Sequence, residues 1–301
     1  MKRIPVFFCT NWNITSWLTV ALASLAENTT HKIDLRIIEC GITAAEVRII
    51  TEFCKQYKNL GTPTFYHVDC EKEFAGCGRW AGDLSAWGRF MFPALAPDLD
   101  RAVYLDSDII VLGDIARLYD MDLENRAVAA APEIYYTVPH NATRIAAYRE
   151  MIGATPNHIP FCSGVLVFDL EKWRAEKLTD QLKAVGRDYA DKFGCPDQDC
   201  MNKLFADNYT VIPNEAVAST FDVNCFQCDY PDRWPALQRD IIVRHFNVSK
   251  PWREYYTENR PTAHRDLFWY YAQKTPFADY FMTEFINAMA EKTVAAFPKP
   301  Q

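Results

Sequence analysis

No apolar run in this 301-residue chain approaches the ~20 residues that a bilayer-spanning helix needs. No long basic run stands out either: 32 Lys and Arg face 39 Asp and Glu, a net charge of −7. Nucleic acid, whose phosphates call for a basic face, is therefore not an expected partner. A small anion remains compatible, because one cation and a few side chains suffice to hold it. Internal repeats and low-complexity segments are also missing.

The ten cysteines lack the pattern of a disulfide framework. They are scattered through strand-like and helix-like stretches, as at Cys9, Cys54 and Cys162, in a chain long enough to need no staples, so buried, reduced thiols are expected. Cys225 and Cys228 have zinc-ligand spacing, and Cys70 with Cys77 or Cys195 with Cys200 would have to complete such a site, yet no second close C-x-x-C pair exists. Lys2 and Arg3 precede apolar residues and a small-residue stretch at 21–26. Asn11, Asn13, Thr15 and Ser16 interrupt any hydrophobic core between the two, which speaks against a signal peptide and for mature, cytoplasmic protein, at most peripheral at the inner face of a membrane.

What is present is a β-α alternation. Residues 4–9 read as a strand, a helical pattern runs through Leu18, Leu22 and Leu25, and 33–37 read as a second strand. Thr43 and Glu46 form a capping box that opens a helix through Val47, Ile50 and Tyr57. Strand 65–68, helix 84–95 and strand 103–105 follow. Such a rhythm predicts a parallel sheet with ligands beyond the carboxyl ends of its strands. Past Asp114 the pattern is mixed, with strands at 127–131, 164–168 and 241–246. From Arg253 onward Trp269, Tyr270, Tyr271, Phe277, Tyr280, Phe281 and Phe285 sit on expected helices, where an aromatic stripe is usually packing.

Strand 103–105 delivers Asp106-Ser107-Asp108. On extended backbone residues i and i+2 point the same way, so two carboxylates can converge on one cation. Oxygen-rich pairs suit Mg²⁺ or Mn²⁺, which commonly hold substrate phosphates. A surface turn after a core strand would use the same residue types.

Downstream stand three further motifs: residues 160–174 with Cys162-Ser163-Gly164, then Cys195-Pro196-Asp197-Gln198-Asp199-Cys200, then Arg244-His245-Phe246-Asn247 ahead of Lys250-Pro251-Trp252. In this order and at these separations, 4–252 resembles the family 8 glycosyltransferases, which include bacterial lipopolysaccharide galactosyl- and glucosyltransferases and the glycogenins. The resemblance implies an α/β GT-A fold with a single mixed sheet flanked by helices. It would comprise domain 1–252, with a nucleotide-binding half 1–112 and an acceptor-side half 113–252, and an aromatic-rich helical extension 253–301.

It further implies that Asp106, Asp108 and His245 bind Mn²⁺, with Mg²⁺ as the alternative, bridging the phosphates of a UDP-sugar. Lys250 would contact the diphosphate, and Arg89 would position donor sugar and phosphate. Asp197 and Gln198 would bind hydroxyls of the transferred sugar, with Gln198 near the reacting carbon; Glu133 would orient the acceptor, a saccharide or glycolipid. Thr10, Asn11 and Trp12 stand at the uridine loop, with Trp12 placed to stack on uracil, but without the acidic partner for the base. Ser107, Cys162 and Ser163 complete the donor set. Cys162 and Ser163 replace an asparagine and an alanine, Val248 replaces a glycine, and the loop to Lys250 is one residue short. Asp199 is read as a cap of the following helix.

The resemblance implies transfer with retention, and Gln198 is a poor nucleophile, which favours front-face displacement over a covalent intermediate. The expected activity is hexosyl transfer, galactose or glucose, in bacterial surface polysaccharide synthesis. A phosphohydrolase would carry D-x-D on an early strand and leave His245 and Lys250 unexplained. An inactive sugar-nucleotide binder would have lost a metal ligand, and a nucleotidyltransferase would show a glycine-rich, basic first loop, which residues 8–12 are not.

Overall fold

The computed structural model describes residues 3–248, 250–253, 256–257, 260–261 and 263–296. Of the expected extension, residues 254, 255, 258, 259, 262 and 297–301 lie outside this set. The strands that position the site are β1 (Arg3–Thr10), β2 (Lys32–Glu39), β3 (Thr64–His67), β4 (Arg101–Leu105), β5 (Ile109–Val111), β6 (Val128–Pro132), β7 (Phe161–Asp169), β8 (Thr210–Val211), β9 (Val217–Ala218) and β10 (Val243–His245).

A seven-stranded sheet runs in the order β3-β2-β1-β4-β7-β6-β8. Its first four strands are parallel, and β7 lies antiparallel to both neighbours. Both faces are covered, so the strands are apolar almost throughout and sort by parity. Ile4, Val6 and Phe8 of β1 join Val103 and Leu105 of β4 in one core, under the helices Thr15–Asn28 and Ala44–Cys54. Phe7 and Cys9 join Ala102 and Tyr104 in the other, under Leu170–Ala175, Leu178–Asp188 and Pro196–Leu204. The expected capping box is present: the Thr43 hydroxyl accepts from Glu46 N, and the Glu46 carboxylate accepts from Thr43 N.

Three details differ from the sequence reading. The expected helix 84–95 is a 3₁₀ turn, Ser85–Met91, followed by one α turn, Phe92–Leu95. Pro93 has no N–H to donate to Arg89, so an α ladder cannot run through it. Tyr57 lies beyond the helix it was assigned to, which ends at Cys54. The mixed sheet is also not alone: β5, β10 and β9 form a separate three-stranded sheet.

In the C-terminal part the aromatic stripe is partly packing. Trp252 lies 5.0 Å from Phe268 and 5.2 Å from Phe281, ring centre to ring centre, and all three are buried. Each such ring contributes roughly 1.5–3 kcal/mol by leaving water. Tyr270, Tyr280, Met282 and Ile286 face outward. Among the described residues no helix is long and apolar enough to cross a membrane.

The sheet order places β2 on one side of β1 and β4 on the other. The chain therefore changes winding direction between β1 and β4, and a crevice opens beyond their carboxyl ends. Those ends are Thr10 and Leu105, so the crevice begins at Asn11 and Asp106.

Candidate active site

Asp106 and Asp108 do not sit on a strand. They occupy the bend in which the chain leaves β4 of the large sheet and enters β5 of the small one. Backbone pairing fixes the bend at both ends. Asp106 N donates to Gly164 O at 2.8 Å, and Phe246 N donates to Asp108 O at 2.9 Å. β10 runs antiparallel to β5 with His245 opposite Ile109, which brings a histidine 137 residues downstream beside Asp108. His245 Nε2 lies 3.1 Å from Asp108 Oδ1 and 3.6 Å from Asp106 Oδ2. One ligand atom from each of the three residues lies within 4.8 Å of the others, the one such grouping of His, Cys, Asp and Glu among the described residues.

The donor set fits a divalent cation with some affinity for nitrogen. Burial alone would push the Asp108 carboxyl up, but Lys250 and His245 outweigh that and hold it well below the usual carboxylate range. The second nitrogen of His245, Nδ1, lies 3.5 Å from Cys162 Sγ. A proton on Nδ1 directed at that sulfur leaves the Nε2 lone pair facing the aspartates.

Around this cluster lies a cavity of about 620 Å³. Arg89 forms part of its wall and is buried, not an exposed helix charge. Its guanidinium lies 3.2 Å from Asp106 Oδ1 and 3.4 Å from Asp197 Oδ2, donates to Ser163 O at 2.7 Å, and stacks 4.6 Å over the Tyr104 ring. Tyr104 also donates its hydroxyl to Asp106. Burial disfavours the Arg89 charge, yet Asp106, Tyr104 and Asp197 more than compensate and keep it protonated. Asp197 is raised by burial and lowered in part by Arg89. Gln198 accepts from Ser163 N at 3.1 Å and approaches Glu133 Oε2 at 3.4 Å. Asp199 caps the helix Pro196–Leu204 from within, accepting from Cys195 N at 2.9 Å.

Ser107, Cys162 and Ser163 line the cavity, and the buried Ser107 hydroxyl has no protein partner among the described residues. Lys250 donates to Asp108 and, at 2.7 Å, to Phe246 O.

Two residues of the expected donor set are placed elsewhere. Thr10 is fully buried, and its hydroxyl is engaged with Asn11 O at 3.3 Å. It shares the parity of Val6 and Phe8, which face the helix Thr15–Asn28, whereas Cys9, of opposite parity, reaches the cavity. Trp12 is 66% exposed and lines an adjoining depression instead. Asn11 lines both, and its amide donates to Asp83 Oδ2 at 2.7 Å and to Ser85 Oγ at 2.9 Å. Asp83 thus supplies beside this loop the carboxylate that the loop itself lacks.

The far wall was not legible in the sequence. Tyr135 stacks on Phe221 with ring centres 4.6 Å apart, and the Arg144 guanidinium lies 5.4 Å from the Tyr135 ring. Tyr104 could have been found, because it stands on β4 two residues before Asp106. Tyr135 and Phe221, 86 residues apart, carry no local signal.

Glu133 is buried beneath this wall, and burial, with Asp222 and Asp199 adding like charge, pushes its carboxyl up to about 8. Its folded value exceeds its unfolded one, so it stabilises the fold fully below the unfolded pKa. That contribution is lost as pH rises from about 4.5 to 8, at about 1.4 kcal/mol per unit. Glu133→Gln should therefore raise the melting temperature at pH 8 and leave it unchanged at pH 4. Equal melting curves for the two proteins at both pH values would contradict a protonated Glu133.

Residues 5–255 match the family profile described as glycosyl transferase family 8. The lipopolysaccharide 1,2-glucosyltransferase of Escherichia coli K12 is 28% identical over 251 residues, 81% of this chain and 71% of that enzyme. Glycosyltransferase GlyF of Streptococcus pneumoniae is 27% identical over 192 residues, 63% of this chain and 42% of that protein. The structure of galactosyltransferase LgtC with donor and acceptor sugar analogues superposes with a TM-score of 0.75 at 21% identity, covering 91% of this chain and 96% of that one. The bifunctional glycosyltransferase WbbM gives 0.77 at 18% identity, covering 94% of this chain and 52% of that one. These likenesses show the GT-A fold.

Proposed function

The chain belongs to glycosyltransferase family 8, and from that premise we propose that it transfers a hexosyl group, galactose or glucose, from a UDP-sugar to a saccharide or lipid-linked saccharide acceptor, with retention. The observation that carries the reading is the convergence of Asp106, Asp108 and His245 on one point at the wall of a donor-sized cavity. These three residues would hold Mn²⁺, or Mg²⁺, whose charge helps to neutralise the leaving diphosphate. The name of the Escherichia coli relative, a lipopolysaccharide 1,2-glucosyltransferase, supports a role in bacterial surface polysaccharide synthesis; a cytoplasmic location is part of the same proposal.

Lys250 and Arg89 bring the fixed positive charge to the site, and that charge is worth most where negative charge grows on the departing phosphate. As the bond from the anomeric carbon to phosphate oxygen breaks, its electron pair goes to that oxygen. The acceptor oxygen bonds to the same face of the carbon, and its proton passes to the leaving phosphate. Gln198, the polar group beside this reaction path, cannot serve as the carboxylate nucleophile that a double displacement requires. Asp197 and Gln198 hold hydroxyls of the transferred sugar. Glu133, protonated at neutral pH, donates a hydrogen bond toward the acceptor, and the Tyr135–Phe221 wall offers a flat apolar surface to a sugar ring. Asn11, with Asp83 and Ser85, is placed to meet the nucleobase.

Calorimetric titration of UDP tests this reading. With Mn²⁺ present, saturable binding is expected; with a chelator it should weaken at least tenfold, and turnover of a UDP-hexose should stop. Binding that ignores the metal would exclude the proposed site.

A further inference from the structure

The carboxyl ends of β1, β2 and β3 lie side by side, and each brings a cysteine: Cys9 is the penultimate residue of β1, Cys40 directly follows β2, and Cys70 opens the helical turn three residues past β3. Backbone pairing sets them in a row. Cys9 is in register with Ile38, Cys40 N donates to Thr10 O at 2.8 Å, and Val68 N donates to Glu39 O at 3.0 Å. The Cys40 and Cys70 sulfurs are 3.0 Å apart, and those of Cys9 and Cys40 are 3.8 Å apart. Cys9 directs its proton to Ser85 O at 3.1 Å, and the Cys40 sulfur lies within hydrogen-bond reach of both Cys9 and Cys70.

Cys40 and Cys70 line the depression beside the donor cavity, next to Gly41, while Cys9 lines the donor cavity itself. Gly41 has a φ of +88° and open space around it, so the chain after Cys40 can move without a steric penalty. We propose that Cys40 and Cys70 form a thiol–disulfide exchange site, open to a small disulfide, whose closure reports on the donor cavity.

The Cys70 thiolate, formed by loss of its proton to solvent and stabilised by the Cys40 S–H, attacks one sulfur of the small disulfide and expels a thiolate. Cys40 then gives up its proton and attacks the Cys70 sulfur of the mixed disulfide, expelling the second thiolate. Two cysteine thiols are oxidised, and one small disulfide becomes two small thiols. The sulfurs need to close by only about 1 Å to reach bonding distance. Hydrogen bonding to Cys70 and Cys9, with burial, holds the Cys40 thiol protonated, which suits the resolving and not the attacking role. In reducing compartments such bridges are usually transient and serve to sense redox state.

Closure reaches the site through Gly88. A β carbon there would lie 2.7 Å from Cys9 Sγ, 3.1 Å from Cys40 Sγ and 3.4 Å from Cys70 Sγ, so the three sulfurs face Gly88, in the turn that carries Arg89, with no room for a side chain between. Redirecting two of them shifts that turn.

The test is incubation of the native full chain with glutathione disulfide, followed by mass spectrometry under non-reducing conditions. Loss of two hydrogens with a Cys40–Cys70 cross-linked peptide is expected, and Cys40→Ser should abolish it. Free thiols throughout, or glutathione retained only on exposed Cys228, would overturn the proposal. This readout is independent of the transferase reading. The effect on the cavity rests on that reading: the bridged form should bind UDP with Mn²⁺ at least fivefold more weakly and recover on reduction. Unchanged affinity in a bridged protein would refute the link through Gly88.

Discussion

Asp108→Ala should abolish metal-dependent UDP binding while leaving the fold intact. The carboxylate is one of three candidate ligands, and it also pairs with His245 Nε2 and Lys250. Removing it takes away charge and geometry together, so the titration with Mn²⁺ should fall to the level seen with chelator, a loss of at least tenfold. The fold should tolerate the change. Lys250 keeps its bond to Phe246 O, and the Asp108 backbone carbonyl that anchors Phe246 is untouched. A melting temperature within a few degrees of the parent would confirm that. Asp106→Ala should remove binding equally but is the less clean variant, because Asp106 also receives Arg89 and the Tyr104 hydroxyl. Retained metal-dependent binding in both variants would refute the assignment.

A second large effect is expected from a single methyl group. At Gly164 an alanine β carbon would lie 2.6 Å from His245 Nδ1, closer still to Cε1, and 2.8 Å from Asp106 Oδ2. The backbone is held toward β4, where Gly164 O accepts from Asp106 N, although toward β6 Gly164 lies in the irregularity between the pairs Ala130–Leu166 and Ala131–Cys162. His245 must swing away, and the nitrogen ligand goes with it. Gly164→Ala should cost at least tenfold in Mn²⁺ affinity and in kcat/KM, with far-ultraviolet circular dichroism unchanged. Placed on His245→Ala, the same substitution should add little, because the ring it displaces is gone. Additive losses in that double mutant would show that Gly164 acts by another route.

These sites differ in how far the sequence revealed them. The parallel half of the sheet was legible because its strands and helices carry opposed periodicities, as in 4–9 against 15–28. Asp106 and Asp108 were legible as candidate ligands because both come from one short segment, although the geometry that joins them is a bend and not a strand. His245 could be assigned only through the resemblance of whole motifs, since its approach depends on the β5–β10 register. Thr10 and Trp12 fall outside the donor cavity, Thr10 buried at the end of β1 and Trp12 exposed over the adjoining depression, a split that their closeness in sequence does not announce. The Cys9, Cys40 and Cys70 row needed the strand order itself, as did the meeting of Tyr135 with Phe221. Local pattern reports which face a residue occupies, and only topology reports its neighbours.

The separation of the two sheets has a thermodynamic side. Asp106 follows a strand of the large sheet, whereas Asp108 precedes and His245 ends strands of the small one. Any cation held by all three is a polar clasp between two sheets that also share one hydrophobic core. Ligand occupancy and the cohesion of the fold are then one equilibrium: at a hundred times its dissociation constant, a ligand that favours the closed seam adds about 2.7 kcal/mol to the stability of the whole chain.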